Sequence, residues 1–418
     1  MRIAIIGAGI SGLTAAHLLD PVHEVTVFEA AGRPGGHTHT VRVDTPNETH
    51  EVDTGFIVFN DRNYPRFERL LGRLGVQSQP STMSFSVSDG GDFEYCGASP
   101  NGLYARRAHL VTPSFQRMIA DLARFNRAAR ALVRDAPFDG EDADISLGAW
   151  LERGRFSRAF IERLIVPQAA AVWSADPAQM WTFPARFLAE FFDNHGMLEL
   201  RNRPRWRTIR GGSARYVEAL TGRLRGRLRL ATPVRSVTRA ADHVLVTARG
   251  GEPERFDEVV LATHSDQALA LLEDASDLEH ALLSTLPYQT NEAVLHTDAS
   301  LLPRRRRAWA SWNYHLLPSP TGRATVTYHM NRLQSLRAER ELCVTLNRTE
   351  AIDPARIIRR IAYAHPVYTP AGVAAQGRVA EISGRNRTHF CGAYWGWGFH
   401  EDGVVSAERV ARRLGAAL

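Results

Sequence analysis

Three glycines and one carboxylate near the start of the chain have the types and spacing to hold a phosphate-bearing nucleotide. Gly7, Gly9 and Gly12 form a G-x-G-x-x-G series, and Glu29 closes the next apolar run. The glycines serve three different ends. Gly7 permits a tight turn, Gly9 lets the backbone approach a pyrophosphate, and Gly12 lets a helix pack closely on a strand. Ile10 and Ser11 lie between these glycines and count among the expected contacts, as does Ala30 beside Glu29. The helix that starts here offers free N–H groups and a positive dipole end to phosphates. Glu29 is placed to accept hydrogen bonds from ribose hydroxyls. NAD and FAD both satisfy this pattern, while a carboxylate at Glu29 would repel the 2′-phosphate of NADP.

A second group of residues has acid–base character. His400, Glu401 and Asp402 are consecutive, and His195 follows Asp193 and Asn194. A histidine titrating near neutrality can take a proton as hydride leaves a neighbouring carbon. The plainer role for the triplet is to close a turn and cap the following helix. Phe183, Phe187, Phe191 and Phe192 make one stretch unusually aromatic, fit either for core packing or for lining an acyl tunnel. No metal-ligand spacing and no nucleophile elbow stands out.

These groups need a scaffold, and 418 residues with 44% hydrophobic composition supply two domains or one composite unit. No apolar run is long enough to span a bilayer. The N-terminal apolar run resembles a secretory leader, but glycines interrupt it and it reads as a first strand. Cys96, Cys343 and Cys391 are odd in number and form no CxxC pair, which points to a reducing, cytoplasmic setting. The formal charge is +6, yet the sequence contains no lysine, which excludes Walker-type phosphate binding and lysine Schiff-base chemistry. Arg304 to Arg307, with Trp309 and Trp312, form the densest basic run; it reads as a solvated loop or as a peripheral contact with an anionic membrane at the inner face. Nucleic-acid binding is not expected, because no recognition motif accompanies the run.

Along the chain, residues 2–6 predict a buried strand, Ser11 to Leu19 a helix, and Val25 to Glu29 a second strand. Residues 64–75, 114–135 and 147–171 read as helical. Leu228 to Val237, Val244 to Ala248 and Glu258 to Ala262 read as strands, with a helix from about Asp266. A helical or mixed region runs to about residue 375. Thr388 to Leu418 returns to strand, glycine turn and helix. There is no internal repeat and no low-complexity segment.

Directly after Glu29 comes Gly32-Arg33-Pro34-Gly35-Gly36, followed by His37 and Thr38. This second glycine pair resembles the motif of flavin amine oxidases and phytoene-desaturase-like enzymes, and it favours FAD over NAD. Asp53-Thr54-Gly55, Val234, Leu261-Ala262-Thr263 and Phe390-Cys391-Gly392-Ala393-Tyr394 with Gly398 to Gly403 are similar to further segments of that superfamily. Trp173-Ser174-Ala175, Asn194-His195-Gly196, Arg203 to Trp206, Gly211-Gly212-Ser213 and the run Gly398 to Gly403 resemble, more narrowly, bacterial amine-oxidase-like proteins that accompany cyclopropane fatty acid synthases. The resemblance implies an α/β fold: a Rossmann-type FAD-binding domain from residues 1–62, 204–268 and 376–418, with an inserted α+β substrate domain from 63–203 and 269–375. It implies cofactor contacts at Arg33, as the cation of the loop, and at Gly35, Gly36, His37, Thr54, Gly55, Val234, Ala262, Gly392, Glu401, Asp402 and Val404. Tyr363, His365, Tyr394, Trp395, Trp397, Phe399 and His400 would line the flavin ring. The flavin should be noncovalent, because Ala362 to Tyr368, which resembles the flavin-linking segment of monoamine oxidases, contains no cysteine.

The catalytic expectation is His400, His195 and Tyr394 around a flavin that takes hydride from an activated C–H of an unsaturated or methyl-branched fatty acyl chain. Desaturation or double-bond isomerisation would result. The missing lysine speaks against the alternative, an amine or amino-acid oxidase. A third reading, a lipid-escort protein without flavin chemistry, conflicts with the intact glycine motif.

Overall fold

The computed structural model describes residues 1–134, 145–199, 203–319 and 321–416. Strand β1 (Arg2–Ile6), helix α1 (Ile10–Leu19) and strand β2 (Glu24–Phe28) follow one another without interruption. Strands β3 (Arg227–Arg229), β4 (Glu258–Leu261) and β5 (Thr388–Phe390) join them, and helix α2 (His400–Arg413) follows β5. The five strands lie in the order β3-β2-β1-β4-β5, parallel throughout. Ile3, Ala4, Ile5 and Ile6 are all buried, as a parallel strand covered on both faces requires. Ile3 and Ile5 pack with Leu13 of α1 and Val404 of α2. Ala4 and Ile6 face the other core, with Phe28, Val246 and Phe256. An antiparallel sheet of Val234–Arg239, Val244–Ala248 and Pro253–Phe256 covers that second face.

Pro65–Leu74 and Pro113–Arg134 are helical, and Ser265–Leu271 is the helix after β4. Residue 135, the last of the expected long helix, lies outside the described residues. The single helix expected over 147–171 is broken. Leu147–Arg153 ends at Gly154 and a left-handed Arg155 (φ +50°), and a π turn at Ile161–Ile165 precedes Val166–Trp173. The strand expected over 228–237 divides around Pro233 into β3 and Val234–Arg239, since proline lacks the N–H that a ladder needs.

The larger departure is a seven-stranded sheet where a helical or mixed region is expected. Its order is Ile357–Pro366, Tyr288–His296, Cys343–Leu346, Val326–His329, Trp312–His315, Phe85–Ser88 and Glu94–Cys96. By the pleat, Tyr363, His365, Asn291, Tyr328 and Tyr314 share one face. The other face carries a buried polar chain: His315 Nε2 meets Thr327 Oγ1 at 2.8 Å, Thr327 meets Thr345 at 2.7 Å, and Thr345 meets His296 Nε2 at 2.7 Å. Among the described residues no helix is long and apolar enough to cross a membrane.

Candidate functional site

The site begins where β1 turns into α1. Gly7 has φ +105°, and a Cβ there would lie 2.8 Å from the Ala262 carbonyl oxygen. A Cβ on Gly12 would lie 1.9 Å from the Gly7 carbonyl oxygen, so the helix packs directly against the turn. Gly9 differs: a Cβ would meet no atom within 4 Å. Helix α1 starts after Gly9 with no side-chain cap and no acidic residue in its first turn. Its first N–H groups are therefore free to face an anion. The second glycine pair lies on the same turn, with Gly35 N–H donating to the Ala8 carbonyl at 2.7 Å and Gly36 packed over the Gly9 Cα. Gly403 of α2 presses on Ile10 and Ser11, and Val404 beside it is fully buried. The N-termini of α1 and α2 thus converge beside the glycine cradle.

Glu29 ties the cradle to its rim. Its carboxylate accepts the Ala8 and Ala31 N–H groups, each at 2.8 Å, and Ala30 lies in this turn. The Glu29 carbonyl accepts from Thr232, which leads into Val234. Arg33, expected as the cation of its loop, is turned inward. Its guanidinium donates to the carbonyls of Gly36 and Thr38 at 2.9 and 3.0 Å, so it braces the second glycine pair.

Beyond the cradle lies a cluster of neutral imidazoles. His37 Nε2 donates to the Ala364 carbonyl at 3.0 Å, and its ring stacks on Tyr363 with centroids 5.1 Å apart. His365 and His264 stand 5.4 and 5.7 Å from it. Desolvation holds His37 and His264 at about 4 and His365 at about 3. Thr54 Oγ1 meets Tyr363 Oη at 2.9 Å, and Gly55 sits against the His37 carbonyl. His264 and Tyr288, stacked at 4.4 Å, escaped the sequence reading, although Leu261-Ala262-Thr263 runs straight into His264.

The triplet after Phe399 does not present acid–base groups to an open site. His400 stacks on Phe56 at 3.5 Å, and its Nε2 lies 2.7 Å from Tyr216 Oη and 3.0 Å from Thr38 Oγ1. Burial drives its proton affinity well below that of a free imidazole. The geometry makes His400 a buried tie between distant segments, against its expected role as base. Glu401 accepts the Arg66 and Phe67 N–H groups, at 3.0 and 2.9 Å, and so caps the helix Pro65–Leu74. Asp402 accepts the Phe399 N–H at 2.9 Å in a capping box; burial raises it to about 7.

His195 is held differently. Its Nδ1–H donates to the Phe191 carbonyl at 2.9 Å, which leaves Nε2 as the lone-pair nitrogen. The ring stacks on Phe191 at 3.9 Å and meets Trp397 and Phe399 at 6.1 and 6.0 Å. Desolvation keeps it neutral, at about 4. Phe187 and Phe191 of the helix Ala185–Asn194 and His195 at its C-terminal cap follow one another at helical spacing. Trp173 packs on Phe183 and Phe191, each at 4.8 Å, and Phe187 packs on Tyr368 at 5.2 Å.

Tyr394 and Trp395 are buried with their rings 4.9 Å apart, and the buried Tyr368 hydroxyl has no partner. Gly392 donates its N–H to Ser406 Oγ at 3.0 Å. A buried orphan polar atom is costly unless a ligand satisfies it. Together with the open space beyond Gly9, it fits a large cofactor. Among the described residues no group of three metal-ligating side chains occurs.

The basic run is largely spent on the protein itself. Arg305 pairs with buried Glu94 at 2.6 Å, and Arg307 donates to the Ala105 carbonyl at 2.6 Å. Trp309 donates to the Pro303 carbonyl, and Trp312 is a strand residue within the seven-stranded sheet.

Known proteins share this fold. The chain is similar to coproporphyrinogen III oxidase of Staphylococcus aureus (strain NCTC 8325 / PS 47), 31% identical over 192 residues, which cover 44% of this chain and 39% of that one. It spans about half the length of the curated relatives it matches. Cyclohexylamine oxidase from Brevibacterium oxydans IH-35A shares the fold, with a TM-score of 0.72, 19% identity and 99% coverage of both chains. A CLA-producing fatty acid isomerase from P. acnes does so with a TM-score of 0.69 and 16% identity, covering 99% of this chain and 98% of that one. The profile of the flavin containing amine oxidoreductases matches residues 10–301. The chain belongs to that family, and FAD is the cofactor that suits its paired glycine loops.

Proposed function

We propose that this FAD-dependent oxidoreductase removes hydride from an activated C–H of an unsaturated or methyl-branched fatty acyl chain. The observation that carries the reading is the aromatic wall of Trp173, Phe183, Phe187, Phe191, Tyr368, Trp397 and Phe399, which reaches the ring of His195, whose Nδ1–H is spent on the Phe191 carbonyl. Such a wall binds methylene chains by dispersion and excludes water. FAD, when bound, accepts the hydride. His195 Nε2 takes the proton from the adjacent carbon, and its tautomer is held by the Phe191 carbonyl. In a desaturation the substrate loses a hydride and a proton, two electrons and two hydrogens in all; in an isomerisation only the hydride leaves, and it returns to another carbon of the unsaturated system. Tyr394, buried against Trp395, belongs to the same proposal as a further residue at the ring.

An amine or amino-acid substrate is the second reading, favoured by the amine oxidases among the relatives. The sequence has no lysine with which to hold a water near the flavin, and the wall around His195 offers aromatic faces in place of a charged anchor for the head group. The domain division at 1–62, 204–268 and 376–418 against 63–203 and 269–375 belongs to the same proposal. So does a cytoplasmic setting, supported by three buried free thiols. Anaerobic mixing with bacterial phospholipids and, separately, with amines tests the assignment. Acyl lipid should bleach the flavin or move a double bond. Rapid bleaching by a simple amine, with no response to any acyl lipid, would reverse the order of the two readings.

A further inference from the structure

Two of the most exposed apolar side chains on the described surface are neighbours: Leu110 is 52% and Val111 82% exposed. They form a tip between the 3-10 turn Arg107–Leu110 and the helix Pro113–Arg134. Much of the backbone behind them is already satisfied. Gln116 Nε2 donates to the carbonyls of His109 and Leu110 at 2.8 and 3.2 Å, and Val111 N–H and Thr112 Oγ1 both donate to the Ala108 carbonyl. A segment whose polar groups are paired internally can leave water at low cost. The base of the tip is rigid, with His109 stacked on Phe115 at 4.2 Å and tilted against Phe93 at 5.4 Å.

Arginines surround this tip. Arg106 and Arg107 precede it in the chain, and Arg163 lies over the Phe93 ring at 4.5 Å. The 304–307 run adjoins it through the Arg307 bond to Ala105 and leaves Arg304 and Arg306 exposed, Arg306 lying over Trp309. Two carboxylates answer them, Asp92 beside Arg106 and Glu94 beside Arg305. The local excess is cationic, and guanidinium groups match phosphate oxygens in geometry.

We propose that this tip docks on an anionic phospholipid surface, with Leu110 and Val111 entering the boundary between headgroups and acyl chains and the exposed arginines pairing with phosphates. The surface is independent of the acyl-substrate reading, and either can fail without the other. Flotation of the flavin-loaded full chain tests it, using vesicles of phosphatidylcholine alone and vesicles with phosphatidylglycerol added. Wild type should float only with the anionic vesicles, and less as salt rises. Leu110→Asp with Val111→Asp should lower the bound fraction about tenfold or more, and Arg304→Gln with Arg306→Gln should flatten the salt dependence. Melting temperature and flavin content should stay those of wild type in both variants, which separates lost docking from misfolding. Absence of wild-type flotation with anionic vesicles overturns the proposal. So does equal flotation by the aspartate variant. Equal binding of wild type and that variant to soluble polyglutamate, with no vesicle binding, would also overturn it in favour of an acidic protein partner.

Discussion

Replacing Gly9 with valine should empty the protein of flavin while leaving it folded, and Gly12→Ala should do the reverse damage. Gly9 has φ −77° and ψ −175°, a conformation open to any L residue, and a Cβ there meets nothing within 4 Å. The cost to the apoprotein is at most that of a poorer helix cap, about 1 kcal/mol. The added carbons fill the space through which a pyrophosphate would reach the helix. A ligand present at a hundred times its dissociation constant stabilises by about 2.7 kcal/mol, and this increment should vanish. In Gly12→Ala the new methyl would lie 1.9 Å from a backbone oxygen, and backbone cannot rotate aside. Helix α1 must move, at about 1–3 kcal/mol in the apoprotein. Deflavinated proteins melted with and without added FAD, plus calorimetric titration, read the two effects separately. Gly9→Val binding FAD within about tenfold of wild type would refute the reasoning, as would an apoprotein destabilised as much as Gly12→Ala.

Further outcomes follow from other contacts. Glu29→Ala loses the bonds to Ala8 and Ala31 as well as any ribose bond, and should weaken FAD binding by about 1–3 kcal/mol in a titration. His195→Gln should slow anaerobic flavin reduction by about a hundredfold or more with little change in melting, while His400→Ala should lower stability by about 2–4 kcal/mol; a reversed pattern would restore His400 as the base. His195, His296, His315, His389 and His400 are buried and held neutral, four of them at about 3 to 4 and His400 well below its ordinary value. Between those values and an unfolded value near 6.5 the unfolded chain binds more protons, so stability should fall as pH drops from about 6.5 to 4, by about 3 kcal/mol for one histidine shifted to 4. Asp53 and Asp402, raised to about 7, pull the other way but are fewer; a melting temperature that peaks near pH 5 would contradict this balance.

The glycine cradle was legible because its requirements are local. A tight turn, a close approach and a packed helix each demand glycine at one position, whatever the rest of the chain does. β1, α1 and β2 follow from the same stretch. The seven-stranded sheet was not legible, because Ser86, Asn313, His315, Thr327, Thr345 and His296 are buried and polar. Their strands alternate in chemistry but not in exposure, and their partners lie far apart in sequence. The same distance hid the roles of the histidines. Nothing near residue 400 announces Thr38 and Tyr216, and nothing near residue 305 announces Glu94. His195 differs in that the carbonyl fixing its tautomer is one helical turn away.

The convergence of α1 and α2 at the cradle has a consequence for how the protein acquires its cofactor. β1, α1 and β2 leave the ribosome long before β4, β5 and α2, yet β4 and β5 must complete their sheet, and α2 must seat Gly403 against Ile10 and Ser11. Pairings of such long sequence separation close late and slowly. Flavin capture therefore belongs to the end of folding, after the intervening chain has been laid down. FAD held at this cradle would be gripped by residues of α1 and α2, far apart in the sequence. Detachment of the C-terminal strand and helix and escape of the flavin should then be a single kinetic event, with the lifetime of the holoenzyme set by how often that late-arriving segment opens.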